Sequence, residues 1–107
     1  MEHAAPLPDT DPRLLRLSPE DNVCAVTTSL SAGTTIRIAG REWQLSQTIP
    51  TGHKMAIEAI AAGQKVRKYG AAIGSATRDI LPGEYVHTHN VKSDYLPTYT
   101  RQQAATV

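Results

Sequence analysis

The feature that most constrains the fold of this chain is a short pattern that occurs three times. Each copy has an apolar residue, two further residues, a glycine in fourth place and then the start of a strand-forming run; the copies are 30–36, 60–66 and 80–86. Glycine in fourth place suits a turn position that needs positive φ. An apolar run precedes each copy. Because Gly33, Gly63 and Gly83 are unequally spaced, the pattern excludes a solenoid and predicts a compact β structure that repeats one kind of corner.

Other breaks in the sequence also favour β structure. Ala39, Gly40 and Arg41 separate two runs with the period of two that is typical of a half-buried sheet, which predicts a hairpin. Residues 55–62 have helix-forming composition, but the repeat favours a short strand at 54–57 followed by one helical turn at 58–62. The sequence therefore predicts a mainly β fold with one or two short helices.

Length and composition limit the organisation of the chain. Its 107 residues allow one small domain. Residues 1–13 contain three prolines and three acidic residues, which predicts a flexible arm. We expect the folded domain to span 14–97 and residues 98–107 to form a flexible tail.

Charge and apolar content exclude several partners. The net charge is +1, with 11 basic and 10 acidic residues interspersed, so we expect no nucleic-acid partner, because phosphate binding needs a concentrated positive face. The start of the chain lacks a basic segment followed by an apolar one, and no run approaches the roughly 20 apolar residues of a membrane span. The single Cys24, within an apolar run, predicts a buried structural thiol and a reducing compartment. We therefore expect a cytoplasmic protein with no membrane partner.

A pair of histidines is the first candidate site. His87 and His89 follow the third corner in a run of strand formers, and Asn90 comes directly after them. On a strand, side chains two residues apart project to the same side. Two imidazoles on one face can share a metal ion or divide the roles of ligand and base. The alternative is a pair of solvated histidines on an edge strand.

A family resemblance extends over residues 15–95. The chain resembles the amino-terminal domain of the altronate and galactarate dehydratases, and equally the small subunit of the sulfolactate sulfo-lyases. These belong to the SAF group, so the resemblance implies a SAF-type β-clip. It rests on a His-Lys pair, a Tyr-Gly-x-x-Ile-Gly segment and a His-x-His-Asn segment, with shorter matches between them: His53-Lys54, Ile60 to Gly63, Val66, Lys68-Tyr69-Gly70, Ile73-Gly74, Ala76-Thr77, Asp79-Ile80, Pro82-Gly83-Glu84, Val86-His87 and His89-Asn90.

The resemblance also implies a reaction. Family members eliminate water or sulfite from an α-hydroxy acid and leave a 2-keto acid. A base removes the proton beside the carboxylate, and the charge that builds there needs a metal or a cationic clamp. The implied cofactor is Fe²⁺ or Mn²⁺, which suits imidazole and oxygen ligands, bound only together with a large subunit.

The resemblance assigns roles to particular residues. His87 and His89 are implied as metal ligands or proton-transfer groups, and His53 as a general acid or base. Lys54 is implied to hold a substrate carboxylate as a point charge; its alternative is a solvated lysine. Tyr69, with Asn90, is implied to contact the substrate, the alternative for Tyr69 being a packed ring at a turn. These roles require His53 to lie within a side-chain length of the His87 and His89 face.

Two classes of function remain open from the sequence. The large catalytic domain of the full-length dehydratases is not within these 107 residues. One class is the small subunit of a two-component lyase, inactive until a large subunit completes its site for a small hydroxy acid. The other is a non-catalytic SAF module that binds carbohydrate or acts like a chaperone. In either case we expect the isolated chain to self-associate through its partner surface.

Overall fold

The computed structural model describes residues 7–94, which form nine β-strands and no helix. The mainly β prediction is therefore confirmed, whereas the one or two short helices are not found in the described part of the chain. The strands are β1 Leu14–Leu15, β2 Val23–Val26, β3 Thr35–Ile38, β4 Arg41–Gln44, β5 Lys54–Ala56, β6 Lys65–Lys68, β7 Ala71–Ala76, β8 Tyr85–Val86 and β9 Val91–Lys92.

The middle layer is an antiparallel sheet in the order β1-β2-β5-β8. Cys24 pairs with Met55, so both side chains lie on one face, while Val23 and Ala56 pair on the other. All four residues are buried. The sheet therefore needs a covering element on each of its two faces.

The β3–β4 hairpin covers the first face. Ile36 and Ile38 alternate with exposed residues along β3, as the period of two predicts. They pack with Cys24 and Met55 in the first core. Cys24 is buried as predicted, and burial raises the pKa of its thiol to about 12.

The sheet β6-β7-β9 covers the second face. Val66 of β6 and Ala76 of β7 pack there against Val23, Ala56 and Val86. The result is a three-layer arrangement in which each face of the middle sheet has its own core.

The connecting corners are alike, and there are four among residues 7–94 rather than three. Gly33, Gly52, Gly63 and Gly83 have φ values of 89°, 82°, 87° and 90°. At each corner the residue after the glycine donates its backbone N–H to the carbonyl three positions earlier, which is the hydrogen bond of a type II turn. The fourth corner lies where the sequence predicts a turn, at Pro50, Thr51 and Gly52, although not a copy of the pattern; it positions the residues that follow it, His53 and Lys54.

These corners divide the fold into two similar units. Corresponding positions of the two units are 30 residues apart at the first strand of each hairpin, where β3 corresponds to β6. They are 31 residues apart after the hairpin, where Gly52 corresponds to Gly83. The extra residue is Ile73, since Val66 pairs with Gly74 but Arg67 pairs with Ala72. Each unit is thus a strand of the middle sheet followed by a corner, a hairpin and a second corner.

The helical turn predicted at 58–62 is wrong. Ile57 donates its backbone N–H to the carbonyl of Asn22, and Ile60 exchanges backbone hydrogen bonds with Ile80. Because these backbone groups bond across the molecule, they are not available for the i to i−4 bonds of a helix. The strand predicted at 54–57 is found as β5.

The described part of the predicted flexible arm is packed on the β3–β4 hairpin. Leu7 contacts the first core. Asp11 donates its backbone N–H to the carbonyl of Arg37, and Gly40 donates to the carbonyl of Asp9. Residues 7–13 are therefore attached to the fold. Residues 1–6, the predicted tail 98–107 and the predicted domain end at 97 lie outside the described residues.

Candidate functional site

His53 and His87 meet across the pairing of β5 with β8. Lys54 pairs with Val86 and Met55 with Tyr85, so one further step along the ladder sets His53 opposite His87. Their ring centroids are 5.3 Å apart. The predicted proximity of these two histidines, 34 positions apart in the sequence, is confirmed.

Tyr85 is the centre of this cluster, although it is not among the site residues predicted from the sequence. Its hydroxyl oxygen lies 2.5 Å from Nδ1 of His53, within hydrogen-bond distance. Its ring is stacked on His87, with centroids 5.4 Å apart and planes at 8°, and its centroid is 5.6 Å from that of His89. The spacing of Tyr85 and His87 could have indicated that Tyr85 belongs to the site, because residues two apart at the end of a strand share a face.

The two histidines of the His-x-His segment do not lie on a strand, contrary to the prediction. Strand β8 ends at Val86, and the backbone N–H groups of Asn90 and Val91 both donate to the carbonyl of His87. His87 and His89 are therefore exposed residues of a tight turn. The ring of each nevertheless packs against the ring of Tyr85.

Asn90 holds this turn from inside the protein. Its side chain is fully buried; its Oδ1 accepts the backbone N–H of His87, and its Nδ2 donates to the carbonyl of Tyr85. The carbonyl of Glu84 accepts a hydrogen bond from Ala56 next to it in β5. Backbone groups of successive residues point to alternate sides of a strand, so those of Tyr85 and His87 point away from β5, towards the open edge of the sheet. The Asn90 carboxamide therefore occupies the place of a next strand, which leaves it no exposed atom for the predicted contact with substrate.

Lys54 projects from the opposite face of β5 to His53. It is half-buried and lines a surface cavity of about 220 Å³ together with Ile73, His87, Thr88, Val91 and Ser93. Burial, and after it the positive charge of Lys68, lower the pKa of Lys54. His87 contributes to both the cavity and the aromatic cluster, so it links Lys54 to His53.

Tyr69 lies outside the histidine cluster. It is 70% exposed at the turn between β6 and β7, has a φ of 58°, and its backbone N–H donates to the carboxylate of Asp21. Its ring carries the ammonium of Lys68 at 5.5 Å. Lys68, which contacts the Tyr69 ring and lowers the pKa of Lys54, therefore links Tyr69 to Lys54.

The predicted metal ligands do not form a complete set. Within residues 7–94, no three His, Cys, Asp or Glu side chains are placed to hold a metal ion. Nδ1 of His53 already faces the Tyr85 hydroxyl, and a protein metal site ordinarily uses three or more protein ligands. These residues alone do not fit a metal centre.

Comparison with known proteins identifies the class to which this fold and site belong. The model of the altronate/galactarate dehydratase SAF domain matches residues 12–94. The chain is therefore a member of the altronate/galactarate dehydratase SAF-domain family.

Two kinds of enzyme are among its relatives. Over 74 residues the chain is 39% identical to altronate dehydratase of Escherichia coli, a match that covers 69% of this chain and 15% of that protein. It is 49% identical over 45 residues to (2R)-sulfolactate sulfo-lyase subunit alpha of Paracoccus pantotrophus, which covers 42% of this chain and 67% of the subunit. The corresponding subunit of Chromohalobacter salexigens is 42% identical over 52 residues, covering 49% of this chain and 55% of the subunit.

The relatives associate this family with lyases, and the chain spans only a small part of the dehydratases that it matches, 15% and 16% of their length. In the part of the chain that the structure describes, no helix is long and apolar enough to cross a membrane.

Proposed function

We propose that this chain is the small subunit of a two-component lyase, of the altronate or galactarate dehydratase or sulfolactate sulfo-lyase type, and that a large subunit completes its site. The reaction eliminates water or sulfite from a small α-hydroxy acid and yields a 2-keto acid. The observation that carries the proposal is the approach of His53 to His87 across β5 and β8, together with the cavity that His87 shares with Lys54.

The side chains present suit β-elimination. An imidazole takes the α-proton, the electrons of that C–H bond form a carbon–carbon double bond, and the bond to the β-substituent breaks. In a dehydration the departing hydroxide takes up the proton and leaves as water, and the enol that remains rearranges to the 2-keto acid. Lys54 supplies a positive charge for the carboxylate, whose negative charge increases as the α-proton leaves.

The site on this chain is open, which supports the need for a partner. His87, Thr88 and His89 are exposed, and the cavity beside Lys54 measures only about 220 Å³, below the roughly 300–1,000 Å³ of ordinary small-molecule sites. Elimination is favoured where water is excluded. A large subunit that covers this surface would provide the missing walls, and any metal ion of the reaction would need ligands from it.

Reconstitution tests the proposal. The chain is mixed with a large subunit of the dehydratase or sulfo-lyase type from the same genome, and release of 2-keto acid or sulfite is measured with altronate, galactarate and (2R)-sulfolactate. We expect a stable complex that turns over one of these acids, while neither chain does so alone even with Fe²⁺ or Mn²⁺. His87→Ala should abolish most turnover without preventing assembly. Lys92→Ala, a change at an exposed position, should leave both turnover and assembly intact.

Three results would contradict the proposal: no complex, a complex that turns over none of the acids, or robust turnover by this chain alone. Binding of sugar acids without turnover would instead favour the carbohydrate-binding module.

A further inference from the structure

The pair formed by Tyr85 and His53 defines a chemical state of the imidazole. The Tyr85 ring is half-buried against the first core, so its position is fixed by packing. Its hydroxyl meets Nδ1 of His53 at 2.5 Å. His53 is itself held by its backbone N–H, which donates to the carbonyl of Pro50, and by its carbonyl, which accepts from Val26. Both partners are therefore preorganised for this one contact.

The direction of the hydrogen bond follows from the two groups. A phenolic hydroxyl is both donor and acceptor, and a neutral imidazole has one nitrogen of each kind. The stronger combination pairs the more acidic proton, that of the phenol, with the more basic acceptor, the unprotonated ring nitrogen. In a neutral ring, an Nδ1 that accepts a hydrogen bond leaves the proton on Nε2.

We propose that Tyr85 is a positioning residue: its hydroxyl donates to Nδ1 of His53 and holds the neutral imidazole as the tautomer protonated on Nε2. If the lyase function proposed above is taken as the basis, this tautomer gives His53 and His87 different roles in the reaction. His53 presents an N–H that donates to a substrate oxygen where negative charge develops, and it cannot accept the α-proton at Nε2. Among residues 7–94 neither His87 nor His89 has a ring nitrogen in a hydrogen bond with another residue. Of the two, His87 lies against the His53 ring and lines the cavity with Lys54, so His87 is the imidazole in place to act as the base.

The tautomer is measured on the intact chain, without substrate or large subunit. Long-range ¹H–¹⁵N correlation spectra of the imidazoles are recorded at a pH where the rings are neutral, and His53→Gln identifies the signals of His53. We expect a protonated Nε2 and an Nδ1 shifted in the direction of an accepted hydrogen bond. Tyr85→Phe, which retains the ring, should move Nδ1 to the position of a free nitrogen, whereas Tyr69→Phe, a change in an exposed ring, should leave it unchanged.

A protonated Nδ1 in the unmodified chain would overturn the inference, as would identical Nδ1 shifts in Tyr85→Phe and the unmodified chain. Neither result bears on whether the complex is a lyase, so this test and the reconstitution fail independently. In an active complex, Tyr85→Phe should lower kcat with little change in KM, because a donor to the developing charge acts in the transition state. An unchanged kcat would show that the hydrogen bond has no part in the reaction.

Discussion

His53 and Tyr85 are 32 residues apart in the sequence, yet Nδ1 of one and the hydroxyl oxygen of the other are separated by 2.5 Å. The contact is diagonal across two antiparallel strands, since Tyr85 pairs with Met55 and His53 lies two residues before Met55. Cross-strand diagonals of this kind are within reach of aromatic side chains. The pairing of β5 with β8 therefore determines the geometry of the site.

Removal of single imidazoles tests that site. In the assembled complex we expect His53→Gln and His87→Ala each to lower kcat by at least ~10²-fold, the lower end of the range for loss of an acid–base group. His89→Ala should also lower kcat, since its ring contacts the same tyrosine. Initial rates at saturating substrate are the measurement. Size-exclusion chromatography checks that each variant still assembles, and full turnover in all three would make these histidines ordinary surface residues.

The lowered pKa of Lys54 predicts a pH-dependent cost to stability. Because its folded-state pKa lies below the unfolded value, the cost of holding the charged ammonium is fully present below the folded pKa and disappears as the pH rises towards the unfolded value. Lys54→Met should therefore raise the free energy of unfolding at neutral pH, and the gain should shrink at alkaline pH. Urea denaturation at both pH values measures this.

Lys68→Ala provides a second arm of that experiment. Loss of its charge should raise the pKa of Lys54 towards the ordinary lysine value and stabilise the chain by a smaller amount, because burial is the larger cause. Lys92→Met, at an exposed position, is the control. Equal effects of Lys54→Met and Lys92→Met at every pH would contradict the assignment.

Asn90→Leu should destabilise the chain and open its sheet edge. The change leaves the carbonyl of Tyr85 and the N–H of His87 without their partner, at about 1–3 kcal/mol for each buried group left unsatisfied. It also exposes strand β8 to pairing with another molecule. We expect a lower urea midpoint and concentration-dependent association by light scattering.

The control for that prediction is Asn22→Leu. Asn22 also makes two side-chain bonds to backbone, to the carbonyl of Lys65 and the N–H of Arg67, but in a more exposed setting where water can replace it. If Asn22→Leu lost as much stability as Asn90→Leu, or if Asn90→Leu did not associate, Asn90 would have no special role in closing the sheet edge.

Gly74→Ala should detach β9 from β7. A Cβ at this position would lie 2.4 Å from the carbonyl oxygen of Lys92 and 2.9 Å from Cγ1 of Val91, both on β9. In the control Gly63→Ala, the added Cβ would contact no other atom, and the loss of stability would come from the unfavourable φ of +87°, at about 1–2 kcal/mol. For Gly74→Ala we expect the larger loss of stability, and loss of amide-exchange protection at Thr77, whose N–H donates to the carbonyl of Asn90 directly before β9. The reverse order would show that β9 moves aside without cost.

Local patterns in the sequence predicted much of the fold. The alternation of Ile36 and Ile38 and the break at Gly40 were sufficient for the β3–β4 hairpin. The glycines in fourth place predicted three corners. The corner at Gly52 was predicted as a turn but not as a copy of the pattern, because the bulge at Ile73 disturbs the spacing between the two units.

The site was less predictable because it depends on distant pairing and on side-chain hydrogen bonds. Nothing local to His53 indicates that it faces His87; only the family resemblance suggested it. Tyr85 was taken as a strand former, and the partner of its hydroxyl is 32 positions away. The strand expected through His89 does not form, because the buried Asn90 side chain stabilises a turn there instead.

The two-unit architecture has a consequence for how sequences of this kind can change in length. The tips of the hairpins are bonded to the segments that precede β1 and β2 of the middle sheet, Gly40 to the carbonyl of Asp9 and Gly70 to the carboxylate of Asp21. Residues added at the tips would disturb these bonds but would leave the pairing of β5 with β8 in register. One residue inserted between Gly83 and Tyr85 would instead shift β8 by one position and move Tyr85 and His87 to the opposite face. A change in length at a tip therefore costs local hydrogen bonds, whereas the same change at the corner that precedes the site would dismantle the site.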